Sequence, residues 1–317
     1  MTFAERERHI NVIRTASTDP SFKADYDELI NDHRILFVSG IHESTHFLTW
    51  HRYFMLLYEN LLRRVDCNFT VAYWDWSLVS SDPFSTANRE DLWHSANTGF
   101  GGDGVDPTGC VQTGPFREDE WSLVPLPAGS PPEPGRRCLS RMFNGNPPDS
   151  VAVEEVLRKS ADDFSDFELM LRINLHDVVH CVIDGTMCSI DSASAPEFFL
   201  HHGFIDKIWD DWQKKSDAHK NAFFPSVDGF MPGTQVRPVD VIDLSSQPGG
   251  VRVEYQPPKG AASVVPLLRG LSLTRLQHIR RRRFSGLRDK AIRLFRLKPS
   301  EVRRAKQLEK LLQPLSS

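Results

Sequence analysis

Two stretches in the first quarter of the chain show the apolar spacing of helices. Between residues 21 and 37, large apolar side chains recur every three or four positions, which places them on one helix face. His33 shares that face. The run FLTWHRYFMLLYENLLRRV, residues 47–65, is apolar around most of its circumference and predicts a helix buried on most sides. It contains His51. Both predicted helices therefore carry a histidine into the core.

Helical spacing returns in the second half of the chain. Residues 150–183 begin with Ser150, a residue type that caps helix N-termini, and run into a stop at Gly185. A further helix is predicted over 197–215, with Pro196 before it and lysines at its end. These segments are long enough to belong to a helical domain.

The rest of the chain is less regular. Residues 80–150 hold ten of the 21 prolines and nine of the 19 glycines, which predicts a long excursion with little regular structure. VRVEYQ at 251–256 is a possible strand. Short basic helices are predicted near 285–297 and 300–313, with Ser285 and Ser300 as their caps.

Charge divides the chain into an acidic body and a basic tail. From Arg269 to Lys310 there are 15 Lys or Arg against three acids, a net charge of +12, whereas the remainder has 23 basic and 39 acidic residues, a net charge of −16. We expect the tail to dock on the body of its own chain or to lie in solvent, with a polyanion or membrane surface as the alternative. Nucleic-acid binding is not expected as the main function, because no nucleic-acid-binding fold is recognisable. The oligomeric state is not predicted.

The cysteines indicate disulfides. None of them forms a CxxC pair, which disfavours a metal–thiolate site and favours an oxidising compartment, the secretory pathway or the cell exterior. Cys181 either pairs with Cys188 or is a buried thiol, and Asn68-Phe69-Thr70 is a glycosylation sequon.

No apolar run reaches the ~18 residues of a membrane span. No signal peptide is visible in the charged first residues, so we expect a cytosolic, mature or truncated chain.

The placement of histidines is the most informative feature of the sequence. His176 and His180 are four residues apart, so both imidazoles project from one helix face and can reach one point. Ordinary core histidines show the same spacing. His201 and His202 begin the next helix, and Asp206 lies where it could accept a hydrogen bond from His202.

A second cluster comes from the first two helices and the loop between them, with His33, His42 and His51. Glu59 returns to the helix face of His51 and could orient that ring. Two clusters of three histidines predict two metal ions. Ligation by imidazole alone fits zinc, copper, iron or nickel. Because no carboxylate stands at an obvious ligand position, an iron site of two histidines and a carboxylate is disfavoured and copper is favoured.

Two longer motifs reveal a family resemblance. HESTHFLTWHRYFMLLYE (42–59), followed by VAYWDWS (71–77), resembles the CuA signature of tyrosinases and molluscan-type haemocyanins. NLHDVVH (174–180), followed by APEFFLHHGFIDKIW (195–209), resembles their CuB signature. The resemblance, to type 3 dicopper proteins and among them to an animal-type tyrosinase-like protein, covers roughly residues 1–256.

The resemblance implies a fold class and a domain division. The fold is mainly α, a four-helix bundle holding a dinuclear copper site, with long irregular loops and a basic helical C-terminal tail. Residues 1–260 would form the copper-binding domain and residues 261–317 the extension. Relatives often carry a C-terminal segment that covers the copper site until it is removed, so deletion of 261–317 is expected to raise catechol turnover.

The resemblance also implies the ligands of two copper ions. In CuA these are His33, His42 and His51, and in CuB they are His176, His180 and His202. His46 and His201 occupy positions that do not ligate copper in the family, and Phe198 is expected to shield the site. O₂ is the implied co-substrate.

The implied activity is the oxidation of a small phenol or catechol to an o-quinone. Glu168 stands where relatives hold a water that helps to deprotonate a phenol, but the Asn partner of that Glu is replaced here by Asp177. Two neighbouring acids raise one pKa, so catechol oxidation is expected to be more efficient than phenol hydroxylation. Gly40 replaces a cysteine that many relatives cross-link to the second CuA histidine, so no thioether forms there.

Two alternatives to an oxidase follow from the same resemblance. The first is reversible O₂ binding, as in a haemocyanin unit, although one chain of such a carrier usually contains several of these units. The second is a copper-free structural protein, against which the six intact ligand positions argue. Copper loading followed by assays with catechol and a monophenol would separate these readings.

Overall fold

The computed structural model describes residues 1–127, 129–130, 137–224, 228–257 and 281–314. The fold is mainly α-helical, which confirms the predicted class. The α-helices are α1 (Phe3–Thr18), α2 (Lys23–Leu36), α3 (Phe47–Leu62), α4 (Ser150–Leu157), α5 (Phe164–Leu169), α6 (Val178–Ile183), α7 (Phe198–Gln213), α8 (Asp217–Asn221), α9 (Asp289–Leu294) and α10 (Pro299–Leu312). Short 3₁₀ helices cover Ala161–Asp163, Gly185–Cys188, Ser192–Ser194, Pro238–Asp240 and Pro248–Gly250.

The bundle consists of α2, α3, the continuous stretch from α5 to α6, and α7. Helix α3 packs on both α2 and α7, and it is buried along almost its whole length, as its apolar sequence predicts. One polar exception is Arg52, which lies inside the bundle over the ring of Trp209 at 3.7 Å. The four helices thus form one core with the histidines of α2, α3 and α7 inside it.

The third bundle segment is not the single α-helix that its periodicity predicts. Residues Met170–Asp177 form a π-helix between α5 and α6. Its i→i+5 hydrogen bonds shift side chains around the axis relative to an α-helix, and such segments concentrate at functional sites. His176 lies in the π-helix and His180 in α6. The simple i,i+4 geometry predicted for this pair is therefore altered locally.

The excursion over 80–150 is irregular, as predicted. Its strands are β1 (Gly104–Val105) and β2 (Cys110–Val111), which pair antiparallel. A disulfide joins Cys110 to Cys138, and Arg141 anchors this region to the bundle. The Arg141 guanidinium donates to both carboxylate oxygens of Glu197 at 2.8 and 3.0 Å, and its Nη1 donates to the carbonyls of Phe100, Gly101 and Gly102.

Helix α1 is absent from the sequence predictions. Its buried face mixes Arg6, His9 and Ser17 with aliphatic residues, which weakens the apolar stripe. A capping box marks its start, because the Thr2 side chain accepts from the Glu5 N–H and the Glu5 side chain accepts from the Thr2 N–H. This capping-box motif in the sequence could have predicted the start of α1.

Several predicted helix starts are wrong by one to four residues. The cap of α4 is Asp149, whose carboxylate accepts from the Ala152 N–H at 2.9 Å, and Ser150 is the first helical residue. Helix α10 begins at Pro299 rather than after Ser300, because proline suits the first helical position and Glu301 accepts from the Lys298 N–H.

The other two corrections concern the start of α9 and the possible strand. Helix α9 begins at Asp289 with Arg288 as its N-terminal neighbour, and not at Ser285. The segment 251–256 forms no ladder, because Val251 makes a single bridge to Gln247.

The described part of the tail packs tightly on the body. Leu308 and Leu312 of α10 join the main core, and Phe295 packs in a second apolar cluster with Phe37. Arg281 pairs with Asp149, Lys290 with Asp184 and Arg304 with Asp166. Residues 261–280 and 315–317 of the predicted extension lie outside the described residues.

Cys181 pairs with Cys188, and Cys67 is free and exposed. The first of these facts settles the alternative that the sequence left open for Cys181. Along the described ranges, no helix combines the length and apolar character needed to cross a lipid bilayer.

We predict that Arg141→Met lowers the free energy of unfolding by about 3–5 kcal/mol, because it leaves the fully buried carboxylate of Glu197 without its charged partner. Denaturant-induced unfolding measures this change. The matched control is Arg117→Met, which breaks an exposed pair with Glu120 and should cost less than about 1 kcal/mol. Equal losses in the two variants would contradict the anchoring role of Arg141.

Candidate metal centre

The first histidine triad is assembled by α2, α3 and the loop between them. His33 lies on the buried face of α2, His51 on α3, and His42 in the loop. The ring centroids are 5.3 Å apart for His33 and His42, 5.6 Å for His33 and His51, and 5.1 Å for His42 and His51. Gly40 has φ +98°, a left-handed conformation that favours glycine and lets the loop turn back to deliver His42. All three rings are buried and could bind one ion.

Backbone carbonyls fix the tautomers of two of these rings. His42 Nδ1 donates to the Phe37 carbonyl at 3.2 Å, and His51 Nδ1 donates to the Phe47 carbonyl at 2.8 Å. Because a carbonyl only accepts, each proton sits on Nδ1 and the lone pair sits on Nε2. Both Nε2 atoms, and both nitrogens of His33, are buried without a hydrogen-bond partner. A metal ion would supply the missing partner for these costly buried groups.

The second triad comes from the π-helix, α6 and α7. His202 Nε2 lies 3.2 Å from His176 Nε2 and 3.3 Å from His180 Nε2. His180 Nδ1 donates to the Met187 carbonyl at 2.6 Å, and His176 Nδ1 donates to Asp177 Oδ1 at 2.8 Å. The Nε2 lone pairs of His176 and His180 therefore face His202.

His201 is a second candidate for the third position, since its ligand nitrogen and those of His176 and His180 lie within 4.8 Å of one another. Trp76 Nε1 donates to His201 Nδ1 at 3.2 Å, so the neutral His201 ring carries its proton on Nε2 and has no lone pair there for a metal. The geometry therefore favours His202, the residue that the resemblance implies. The ligand assignment itself stays a prediction.

The two triads share one pocket. The His51 and His202 rings stack at 4.5 Å with an interplanar angle of 15°. Phe198 is fully buried between the triads, 4.0 Å from His202 and 4.9 Å from His33. Phe198 therefore lies where a shielding residue was expected.

Burial keeps all six imidazoles neutral. It lowers the pKa of His51 to about 3 and that of His180 to about 4, against hydrogen bonds to backbone carbonyls that act in the opposite direction. Burial, reinforced by the neighbouring histidines, holds the pKa values of the other four well below the ordinary range, namely those of His33, His42, His176 and His202. Neutral imidazole is the form that binds metals, so at neutral pH the six side chains fit two metal ions with nitrogen ligands.

Both predicted acid–base residues are engaged in other contacts. Glu168 accepts from Arg172 Nε at 2.5 Å and from Arg172 Nη2 at 3.4 Å, and burial raises its pKa against the opposing effect of Arg172. Asp177 orients His176 through Oδ1, whereas its Oδ2 is buried without a partner. Burial also raises the pKa of Asp177 well above its usual range. The roles of Glu168 and Asp177 toward a water molecule stay predictions.

The two orienting carboxylates proposed from sequence are wrong. Asp206 accepts from Arg52 Nε and from the Tyr255 hydroxyl, both at 2.7 Å, because the buried guanidinium of Arg52 requires an anionic partner. Glu59 accepts from the Val71 N–H at 2.9 Å and ties the following loop to α3. Carbonyl groups take the orienting role that sequence reasoning gave to Glu59.

Phe295 of the tail is the site residue that the sequence analysis missed. Its ring centroid lies 5.2 Å from that of His42, 5.5 Å from that of His176 and 5.7 Å from that of His180. The helix predicted near 285–297 includes Phe295, but the sequence does not show which surface the Phe295 ring covers. It covers rings of both triads.

Comparisons with known proteins agree with this geometry. The family model for the common central domain of tyrosinase matches residues 23–215. A tyrosinase of Streptomyces lincolnensis is 31% identical over 266 residues, which cover 77% of this chain and 87% of that protein. The tyrosinase-like protein phomQ2 of Diaporthe leptostromiformis is 33% identical over 196 residues, covering 56% of this chain and 46% of that protein. These relatives are bacterial and fungal, so the animal-type expectation stays a prediction.

Among solved structures, this chain is similar to a variant of polyphenol oxidase from Thermothelomyces thermophila. The TM-score is 0.47 at 22% sequence identity, with 67% of this chain and 68% of that chain covered.

We predict that the copper-loaded chain retains two copper ions, that His202→Gln retains about one, and that His201→Gln retains two. The reason is that His202 Nε2 lies within 3.3 Å of the Nε2 atoms of both His176 and His180, whereas His201 Nδ1 already accepts from Trp76. Elemental analysis after exhaustive dialysis gives the stoichiometry, and the two neighbouring substitutions control for each other. Loss of an ion from His201→Gln alone would reverse the assignment.

Proposed function

Since this chain belongs to the tyrosinase family, we propose that its two triads hold a copper pair and that the protein oxidises small catechols, and less efficiently phenols, to o-quinones. The relatives support a type 3 copper oxidase of the tyrosinase or polyphenol oxidase kind. One observation carries the proposal: six imidazoles that burial keeps neutral form two adjacent triads, whose His51 and His202 rings stack at 4.5 Å. When bound, the copper pair supplies O₂ binding and a two-electron oxidation of the substrate.

The side chains around the pocket keep water and protons away from the site. Phe47 lies 4.6 Å from His176, Phe54 lies 5.7 Å from His33, and both rings are buried. This apolar wall keeps the imidazoles in the form that binds metals. Asp177 holds the ring of His176 through its Nδ1 proton.

The contacts of Glu168 and Asp177 support catechol oxidation over phenol hydroxylation. A free phenol has a pKa near ~10 and must lose its proton before ortho attack, which calls for a base close to it. Glu168 is paired with Arg172, and Asp177 with His176. Glu168 is therefore not free to take that proton. Asp177 Oδ2 has no hydrogen-bond partner among the described residues, but burial raises the pKa of Asp177 well above its usual range and disfavours the ionised form that a base requires.

The tail supports a second proposal, that the intact chain limits access to the site. Phe295 covers the rings of three histidines, and the cavity beside it measures about 60 Å³. Cavities that bind benzene measure about 150 Å³, so a catechol does not fit until Phe295 moves. The same cover favours reversible O₂ binding as the second candidate function, because O₂ is much smaller than a catechol.

We also propose that the protein is exported to an oxidising compartment. Disulfides persist there and are rare in the cytosol. The support is the pair of disulfides in the described residues, Cys110–Cys138 and Cys181–Cys188.

We predict that the copper-loaded chain produces o-quinone from catechol at least about tenfold faster than from a matched monophenol, a ratio that corresponds to ~1.4 kcal/mol of activation free energy. Quinone absorbance measures both rates. Reversible oxygenation with no quinone from either compound, in the intact chain and in Phe295→Ala alike, would identify an O₂ carrier instead. The absence of both oxygenation and oxidation would contradict the proposed copper pair.

We predict that Phe295→Ala in the full-length chain raises catechol turnover per copper by about tenfold or more, because the ring no longer blocks the site. A tenfold rise corresponds to ~1.4 kcal/mol of activation free energy. A point substitution is sharper than deletion of 261–317, since Leu308 and Leu312 belong to the core. The control is Phe284→Ala, a buried tail phenylalanine of the main core cluster. An unchanged rate in Phe295→Ala, or an equal rise in both variants, would argue against the cover.

A further inference from the structure

The Cys181–Cys188 disulfide lies directly beside one of the site histidines. Cys181 follows His180 in α6, and Cys188 follows Met187 at the end of the 3₁₀ helix Gly185–Cys188. The Met187 carbonyl accepts from His180 Nδ1 at 2.6 Å. This hydrogen bond therefore joins the two residues that precede the two half-cystines, and the disulfide closes the same short turn that the hydrogen bond closes.

The acceptor of His180 is less locally fixed than that of His51. His51 Nδ1 donates to the Phe47 carbonyl, four residues earlier in the same helix, so α3 itself holds that acceptor in place. The Met187 carbonyl comes seven residues after His180 and lies beyond the end of α6. The orientation of the His180 ring therefore depends on how the intervening turn is held.

This turn needs restraints from outside its own backbone. Asp184 has φ +59° and ψ −159°, a conformation that is costly for a non-glycine residue and persists only where the surroundings impose it. Thr186 fixes one part of the turn, because its N–H donates to the Ser140 carbonyl at 2.9 Å and its hydroxyl accepts from the Ser140 N–H at 3.0 Å. The disulfide fixes the end of the turn at Cys188.

The disulfide restrains the peptide group that carries the acceptor. The Met187 carbonyl belongs to the peptide group that joins Met187 to Cys188. A peptide group is planar and rigid, but it rotates about its two flanking Cα atoms unless both residues are held. The Met187 side chain is buried in the main core, and the disulfide ties Cys188 to α6. Loss of the disulfide frees one flanking residue and lets the carbonyl turn away from His180.

We propose that the Cys181–Cys188 disulfide is a positioning device for His180. By holding the Met187 carbonyl, it keeps the Nδ1 proton in place and the Nε2 lone pair directed at the second metal position. The proposal rests on the proposed function, which it deepens by naming what orients one copper ligand. Loss of a group that orients a ligand histidine typically lowers metal affinity by about 10- to 100-fold.

A purely stabilising role accounts less well for this disulfide. In the chain-entropy model, a disulfide stabilises a fold more when it closes a longer loop. The sequence separation is 7 for Cys181 and Cys188, against 28 for Cys110 and Cys138. Removal of the Cys110–Cys138 disulfide should therefore cost more stability and still leave metal binding unchanged, which makes it the matched control.

The first test measures copper affinity in the full-length chain. Cys181→Ala/Cys188→Ala, Cys110→Ala/Cys138→Ala and the parent chain are loaded with Cu(I) and titrated with the chelator bathocuproine disulfonate. The first variant should bind one of two ions about 10- to 100-fold more weakly than the parent, and the second should match the parent. Val182→Ala controls for lost packing, since it trims the same apolar cluster and keeps the disulfide. Unchanged affinities in the first variant, or equal weakening in Val182→Ala, would overturn the proposal.

Metal-free protein gives a readout that does not depend on copper. Labelling with ¹⁵N-histidine distinguishes the two neutral tautomers by NMR. The parent should show His180 with its proton on Nδ1, whereas Cys181→Ala/Cys188→Ala should mix both tautomers at His180 and leave His51 unchanged. An unchanged His180 spectrum would contradict the positioning role. If the parent holds no copper pair but its His180 tautomer depends on the disulfide, the proposed function fails and the positioning role stands.

A second pair of substitutions separates positioning from folding. Cys181→Val/Cys188→Ala retains more of the buried volume and undergoes the same two measurements, with the His51 signal as the marker of a folded site. Both pairs should fold and both should show the altered His180 ring. Failure of both to fold, while Cys110→Ala/Cys138→Ala folds, would assign the disulfide to stability alone and overturn the proposal.

Discussion

The exclusion of water and protons from six imidazoles is the constraint on which this structure depends. A histidine binds a metal only through a free lone pair, and a protonated ring has none. Backbone carbonyls hold the Nδ1 protons of His42, His51 and His180, and burial penalises any second proton. Carbonyl acceptors orient the rings and stabilise an imidazolium only partly, and burial outweighs their effect on the pKa of His51 and His180. His176 is the exception, since its acceptor is Asp177.

Much of the surrounding packing serves this exclusion. Phe47, Phe54 and Phe198 fill the space between the rings, and the stacking of His51 on His202 brings the two triads together. Two charged side chains that lie deep in the bundle are paired with each other away from the histidines. Arg52 of α3 pairs with Asp206 of α7, which keeps these two charges out of contact with the histidines.

Periodicity in the sequence was enough to predict the bundle and the faces that carry histidines, because burial of an apolar stripe is a local property of the chain. His33 on α2 and His51 on α3 lie where that pattern put them. The partners of those rings were not predictable in the same way. Glu59 has the right helical spacing to orient His51, but the Phe47 carbonyl, one turn away on the same helix, is closer and uncharged. Carbonyl groups occur at every residue and leave no sequence signal.

Contacts between distant segments set the second limit on prediction. Nothing in the tail sequence specifies that Phe295 reaches the histidines, since that contact depends on how α9 and α10 dock. Within the docked tail, different residues attach it to the core and contact the histidines. Leu308 and Leu312 attach α10 to the core, whereas Phe295 lies at the end of α9, in the loop beside the histidines.

The cover over the histidines therefore belongs to the loop between α9 and α10. Arg296, in the loop, has a φ of +52°, a conformation that costs a non-glycine residue about 1–2 kcal/mol. Phe295 and Arg296 lie outside α10, whose apolar anchors Leu308 and Leu312 belong to a different cluster from Phe295. The cover over the histidines and the attachment of the tail therefore depend on different residues.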